Sequence, residues 1–380
     1  MAKKAYVGVD GVARKIKKGY IGVDGVARKI KKAYVGVGGV ARPFWSSGLS
    51  YYGTITDLAN NSIYHAATSF SNYALFGGGN YRSGSTNSAL TTVNVYDTSL
   101  VRTSKSFQIA RYQLAATSID THAMFGGGQN GSTAYSYVDA FDTGLTRTTN
   151  ASGITTAVYG LAATSIGGYG VFAGGYRLGK SALATAYAFD SKLTKTSPTS
   201  LSNAKGDHVA TSIGGYALFA GGGSNGTIGS FYSTVDAYDT SLVKTTATAF
   251  TSGRTQLAAT AVGDYALFGG GYISGGASFI VEAYNKSLTK STPTGLSEAR
   301  YTLSATTVGG FALFGGGQGS SISSVVDVYD ESLTRTTTTS LSVGRYLFDA
   351  TTVGDYALFG GGRTATTGTQ VATVDAYIGG

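Results

Sequence analysis

The hexapeptide Ala-Leu-Phe-Gly-Gly-Gly constrains this chain more than any other feature, because it recurs seven times at almost even spacing. It reads ALFGGG from Ala74, AMFGGG from Ala123, GVFAGG from Gly170, ALFAGG from Ala217 and ALFGGG from Ala266, Ala312 and Ala357. The intervals are 49, 47, 47, 49, 46 and 45 residues. Each interval holds one supersecondary unit of four short strands with turns, so the repeats predict a single ring-like body rather than two or three independent domains. The 57 glycines and three prolines in 380 residues stay below the roughly 25–30% that marks low-complexity chains. Tyr and Phe supply 27 and 17 rings for a core.

Within one unit, Ala258 to Leu303, the segment AATAV (258–262) reads as a small-residue strand near the axis. Gly263-Asp264 turns into YALFGGG (265–271), a variable loop leads to FIVEAY (279–284), and Asn285-Lys286-Ser287 turns into LTKSTPT (288–294). The last unit ends after its third strand, TVDAY (373–377), while YYGTITDLANNSIYHAAT (51–68) aligns with STPTGLSEARYTLSATT (291–307). Residues 52–58 are therefore expected to supply the missing outer strand and close the ring.

Charge divides the chain in two. Residues 1–45 hold eleven Lys/Arg and two Asp, whereas residues 46–380 hold 18 basic and 18 acidic groups. The basic excess lies wholly in the leader, so nucleic acid is not expected as a partner of the ring. The leader is itself repetitive: AYVGVDGVARKIKK (5–18), GYIGVDGVARKIKK (19–32) and AYVGVGGVARPFW (33–45). Asp10-Gly11, Asp24-Gly25 and Gly38-Gly39 are two-residue hairpin turns by type, which would set Val9 opposite Val12 and Val7 opposite Arg14, with Lys15 and Lys17 on the other face. Such short hairpins are marginal alone, so they are expected to stack on one another or on identical chains. No cysteine is present, which removes disulfide and thiolate chemistry. MAKKAYVGVDG is not followed by an apolar export segment, and no run approaches a membrane span. Synthesis in the cytoplasm without membrane insertion is expected.

The seven-fold pattern resembles the kelch repeat, with a double-glycine second strand, a Tyr-bearing third strand and a basic residue before the next first strand. The family's usual Trp is replaced by Leu100, Leu145, Leu193, Leu242, Leu288 and Leu333. The resemblance implies an all-β fold, a seven-bladed kelch-like β-propeller (46–380) closed by an N-terminal strand and preceded by short β-hairpin repeats (1–45). The leader resembles the hairpin repeats of Gram-positive phage and prophage tail-associated proteins, which implies anchoring to other virion proteins, homo-oligomerisation in the particle and a virion location.

Antiparallel strands bring the fourth-to-first and second-to-third loops to one face. The first set repeats a basic residue, Arg111, Lys205, Arg254, Arg300 and Arg345, which either ties neighbouring blades or adds to a recognition surface. The second set varies most and offers Tyr81, Arg82, Tyr135, Tyr137, Tyr176, Arg177, Phe231, Tyr232 and Tyr272, in the Tyr/Ser/Gly/Asn composition of recognition loops. A host cell-surface glycan or protein is the expected ligand, and drift of unconstrained loops is the competing account.

No catalytic residue, metal site or cofactor is expected. His65 and His208 occupy slots held elsewhere by Leu114, Leu161, Leu257 and Leu303, and His122 replaces a Tyr. Asp142, Asp239 and Asp330 read as Asx-turn residues before the fourth strand. Asp349 is the odd acid in a first strand. The copper chemistry of some kelch proteins needs a Cys and is excluded, and the aspartate box of sialidases is absent. The expected function is that of a non-enzymatic phage or prophage tail or fibre protein presenting a propeller for host-surface recognition. A decoration or spacer without its own ligand, or a cytoplasmic protein-interaction propeller, are the alternatives.

Overall fold

The computed structural model describes residues 6–379, apart from residues 10–11, 16–18, 24–25, 31, 38–39, 47, 84–85, 151–152, 180, 226–229 and 366–368. Of residues 6–46, 83, 86 and 150 it describes the backbone only. The hairpin turns at 10–11, 24–25 and 38–39, and Lys17, lie outside the described residues. Their flanking strands pair in the expected register, with Val9 opposite Val12 and Val7 opposite Arg14. The three hairpins form three separate two-stranded sheets.

From residue 50 onward the protein is an all-β, seven-bladed propeller of seven four-stranded antiparallel sheets. Blade 1 begins with the inner strand Ala66–Phe70, and the inner strands of blades 2 to 7 are Ala115–Ser118, Ala162–Ile166, Val209–Ile213, Ala258–Val262, Ser304–Val308 and Asp349–Val353. Each inner strand touches the next, and that of blade 7 touches that of blade 1, so the ring is closed. In blade 5 the observed strands Ala258–Val262, Tyr265–Gly269 and Val281–Asn285 lie where the sequence places them. The fourth, Lys290–Ser291, is shorter than expected. Leu288 has a φ of 60° and belongs to the preceding turn, as do its equivalents Leu100, Leu145, Leu193, Leu242 and Leu333. Asp142 Oδ1 accepts the N–H groups of Gly144 (2.9 Å) and Thr146 (2.8 Å), the Asx turn read from the sequence. Asp239 and Asp330 do the same.

Blade 7 takes its outer strand from the other end of the ring. Ser50–Ile55 pairs with Val374–Ile378, with Tyr51 opposite Tyr377 and Ile55 opposite Val374. The closing strand thus begins slightly earlier than the 52–58 expected.

The core lies between blades. The Ala-Leu-Phe strand is buried in every blade, and its glycines permit an approach that side chains would block. A Cβ on Gly126 would stand 2.8 Å from the Phe172 ring of the next blade. One on Gly127, where φ is +69°, would stand 2.7 Å from the Val158 carbonyl.

Candidate functional site

The recurrent cations are framework. Arg111, Lys205, Arg300 and Arg345 are 0% exposed and Arg254 is 1% exposed. Each lies in a fourth-to-first segment whose backbone N–H bonds to a second-to-third loop carbonyl of the preceding blade (Leu90, Leu183, Tyr232, Ser278 and Ser323 in turn), while the side chain enters the following blade. There it meets a third-strand carboxylate: Arg111–Asp139 at 2.7 Å, Lys205–Asp236 at 3.4 Å, Arg254–Glu282 at 2.8 Å, Arg300–Asp327 at 2.6 Å and Arg345–Asp375 at 2.7 Å. Each cation also donates to the carbonyl of the Ala-Leu-Phe phenylalanine, Phe125, Phe219, Phe268, Phe314 and Phe359 in turn. Arg111, Arg254, Arg300 and Arg345 therefore cannot serve as the ligand contacts considered above, because they are consumed in buried ion pairs that staple blade to blade. Burial pushes Lys205 down to about 8 and Arg254 to about 10, opposed by their carboxylates.

Sequence reasoning missed the carboxylates of these pairs. The signal was available: blades 2, 4, 5, 6 and 7 carry both cation and acid. Blades 1 and 3 carry neither, having Ser62 with Asn94 and Val158 with Tyr187.

A second staple runs through the third-strand tyrosines. Tyr96, Tyr238, Tyr284, Tyr329 and Tyr377 donate their hydroxyls to Thr56, Thr199, Thr248, Thr294 and Thr339 carbonyls of the preceding blade, at 2.6 to 2.8 Å.

The other candidates divide. Tyr176 is 2% exposed, packs over Gly206 and donates to the Gly223 carbonyl at 3.2 Å, so it is also framework. Arg82 and Arg177 are exposed, and Tyr81, Tyr135, Tyr137, Phe231, Tyr232 and Tyr272 are half-buried on the loop face. The structure groups Tyr135 with Tyr137 (ring centroids 6.0 Å apart) and Phe231 with Tyr272 (6.1 Å). Tyr272 continues to Tyr301 at 5.1 Å. Tyr301, with Tyr64, Tyr112 and Tyr159, escaped the sequence reading because it lies in the short fourth-to-first segment rather than in a variable loop.

These segments converge on the axis. Tyr64, Gln113, Gly160, Asp207, Gln256, Thr302 and Leu347, one per blade, all adopt left-handed backbone, with φ between 50° and 64°. Each donates its N–H to the carbonyl of the member before it, and Tyr64 donates to Leu347, closing a circle of seven bonds of 2.8 to 3.3 Å. This circle rims a cavity of about 450 Å³ at the channel mouth, whose wall continues through the inner-strand alanines to Ser304 and Asp349.

Asp349 Oδ2 accepts the Ala67 N–H of blade 1 at 2.8 Å, and Oδ1 accepts the Ala350 N–H (2.8 Å) and the Ser304 hydroxyl (3.2 Å). Burial raises it to about 6 despite those donors, and Asp207 is raised to about 6 for the same reason. His65 and His208 lie against Gly361 and Gly174 between blades, and burial lowers both, His65 to about 4. They are core substitutions, as their leucine slots imply. Among the described residues no group of three or more His, Asp or Glu could hold a metal ion.

The fold is that of a seven-bladed β-propeller. Comparison adds only to that class: no protein-family model and no curated protein matches the chain. Solved structures do match, among them that of YjhT, 13% identical over 84% of this chain and 95% of that one, with a TM-score of 0.54. At such identity the likeness shows the fold alone.

Proposed function

We propose that the protein is a non-enzymatic, kelch-like recognition propeller of a phage or prophage particle. In this reading the basic hairpins of residues 1–45 dock on other virion proteins, and residues 46–380 offer the loop face to a host cell-surface glycan or protein. One observation carries the recognition reading: seven nearly identical frameworks place different side chains on one face, and those side chains are aromatic and small polar groups. Rings give contact area at low entropic cost, and small polar groups adapt their hydrogen bonds.

The test is a glycan array and a binding assay against Gram-positive cell-wall fractions with the full chain. Saturable binding to a surface polymer is expected. A second reading, a decoration or spacer without its own ligand, draws on the finding that Tyr176 and four of the candidate arginines are locked in the framework. Binding to no wall fraction and no arrayed glycan would favour it.

A further inference from the structure

Two sets of non-glycine residues in this ring adopt left-handed backbone, and they differ in a telling way. In the turn before the fourth strand the residue is Leu wherever the set occurs, Leu100, Leu145, Leu193, Leu242, Leu288 and Leu333. These side chains are buried or packed against the blade cores. Packing accounts for them. On the axial circle the backbone is equally repetitive, yet the side chains are Tyr, Gln, Gly, Asp, Gln, Thr and Leu. Only one of seven is the glycine this conformation favours, and Thr302 is β-branched, the type least suited to it. Strain retained at six slots, with no common core contact to explain it, points to a role for the side chains themselves.

Those side chains have a shared chemistry. Gln113, Gln256 and the Tyr64 hydroxyl both donate and accept hydrogen bonds, while the Thr302 hydroxyl, which donates to the Tyr301 carbonyl at 2.7 Å, keeps its acceptor lone pairs. Asp207, whose carboxylate already hydrogen-bonds Tyr176, adds remaining acceptor capacity, and Gln113 Oε1 accepts from Gln129 Nε2 at 2.5 Å. The Tyr64 ring is in the cavity wall and lies 6.3 Å from the Tyr112 ring. The two acids disfavour an anionic ligand. The donors already on both oxygens of Asp349, and the prevalence of amides and hydroxyls, argue against a bare cation. Neutral amides and hydroxyls around a cavity of about 450 Å³, whose wall also holds Tyr64 and the inner-strand alanines, match a ligand that is a compact ring carrying several hydroxyls.

We propose that the axial mouth is a binding pocket for a single sugar ring, held by Gln113, Asp207, Gln256 and Thr302. This rests on the reading of the loop face as a glycan-recognition surface and names its central subsite. The strained slots then make a prediction that a purely structural circle does not. Relieving the strain with glycine should leave the fold as stable or more so while removing the contacts.

The experiment titrates the full chain with methyl α-D-glucopyranoside, methyl N-acetyl-β-D-glucosaminide and methyl α-L-rhamnopyranoside, each separately, by saturation-transfer NMR. Thr302→Gly and Gln256→Gly are compared with the parent, and the melting temperature of each is recorded. Binding of at least one glycoside is expected, weakened about tenfold by either variant, the worth of one lost hydrogen bond, with melting temperature unchanged or raised. Unchanged affinity in both variants, or a lowered melting temperature in both, would overturn the assignment. Binding of arrayed glycans with no binding of any glycoside would overturn the subsite but leave the face reading standing, and silence in both assays would sink both.

Discussion

The seam between blades 2 and 3 and the seam between blades 5 and 6 share a backbone and differ in chemistry. Gly128 donates to the Val158 carbonyl at 2.8 Å in one, and Gly271 to the Arg300 carbonyl at 2.9 Å in the other. Around that common bond, seam 5–6 buries Arg300 against Asp327 and ties Tyr329 to Thr294. Seam 2–3 has Val158 facing the place of the cation, Tyr187 in place of the acid and Phe189 in place of the tyrosine, packed with Phe172 in one apolar cluster. The ring closes either way. Charge is therefore not what brings blades together. Desolvating a buried pair costs about what the pair returns, so an apolar replacement of similar volume can be neutral. Half a pair cannot be, which is why cation and acid are present or absent together along this chain.

The largest effect should come from breaking a pair on one side. Asp139→Ala strands the 0% exposed Arg111 and should cost about 3–5 kcal/mol, read as a fall in the denaturation midpoint at unchanged slope. The double variant Arg111→Val with Asp139→Tyr is the sharper case. Seam 1–2 already has Phe141 where other blades have tyrosine, so the double change makes it a copy of seam 2–3. It should recover most of the loss. If the double variant is as unstable as the single, the pair does more than satisfy itself, and the comparison between seams fails.

The histidines give the next effect. His65 and His208 sit at seams 7–1 and 3–4, in the slot that Leu161 fills at seam 2–3. His65 is lowered from 6.5 to about 4 by burial. Between those values the unfolded chain binds the proton and the folded chain does not, so stability falls as pH drops from 6.5 toward 4. For His65 alone the fall is about 3 kcal/mol. Asp207 and Asp349, raised to about 6, act in the opposite sense over the same range, so the histidine part is read as a difference: relative to the parent, His65→Leu with His208→Leu should gain melting temperature steadily as pH drops from 7 to 4.

How much of this was legible beforehand follows from the physics of each element. The ring, its blade number and its closing strand were readable because glycine spacing and strand alternation are local signals that repeat. The Asx turns at Asp142, Asp239 and Asp330 were readable for the same reason. The role of the arginines was only half readable. Arg111 and Asp139 lie 28 residues apart in sequence, and their partnership emerges only when the loop of one blade is laid over the strands of the next. The axial circle was not legible at all, because a left-handed Thr302 or Gln256 contradicts local preference. Nothing in a single repeat says that seven such residues will bond in a ring.

The smallest effect tests whether the two staples act independently. Tyr329→Phe removes one hydroxyl donor from the Thr294 carbonyl and should cost about 1 kcal/mol. Seam 7–1 offers the matching cut without a buried ion pair, since Tyr96 reaches Thr56 while Ser62 and Asn94 stand where other seams have cation and acid, and Asn94 Oδ1 instead accepts from Arg102 at 3.1 Å. Independent staples would make Tyr96→Phe cost the same within about 0.5 kcal/mol. A clearly larger loss at Tyr96 would mean that the ion pair supports seam 5–6 when its tyrosine is cut.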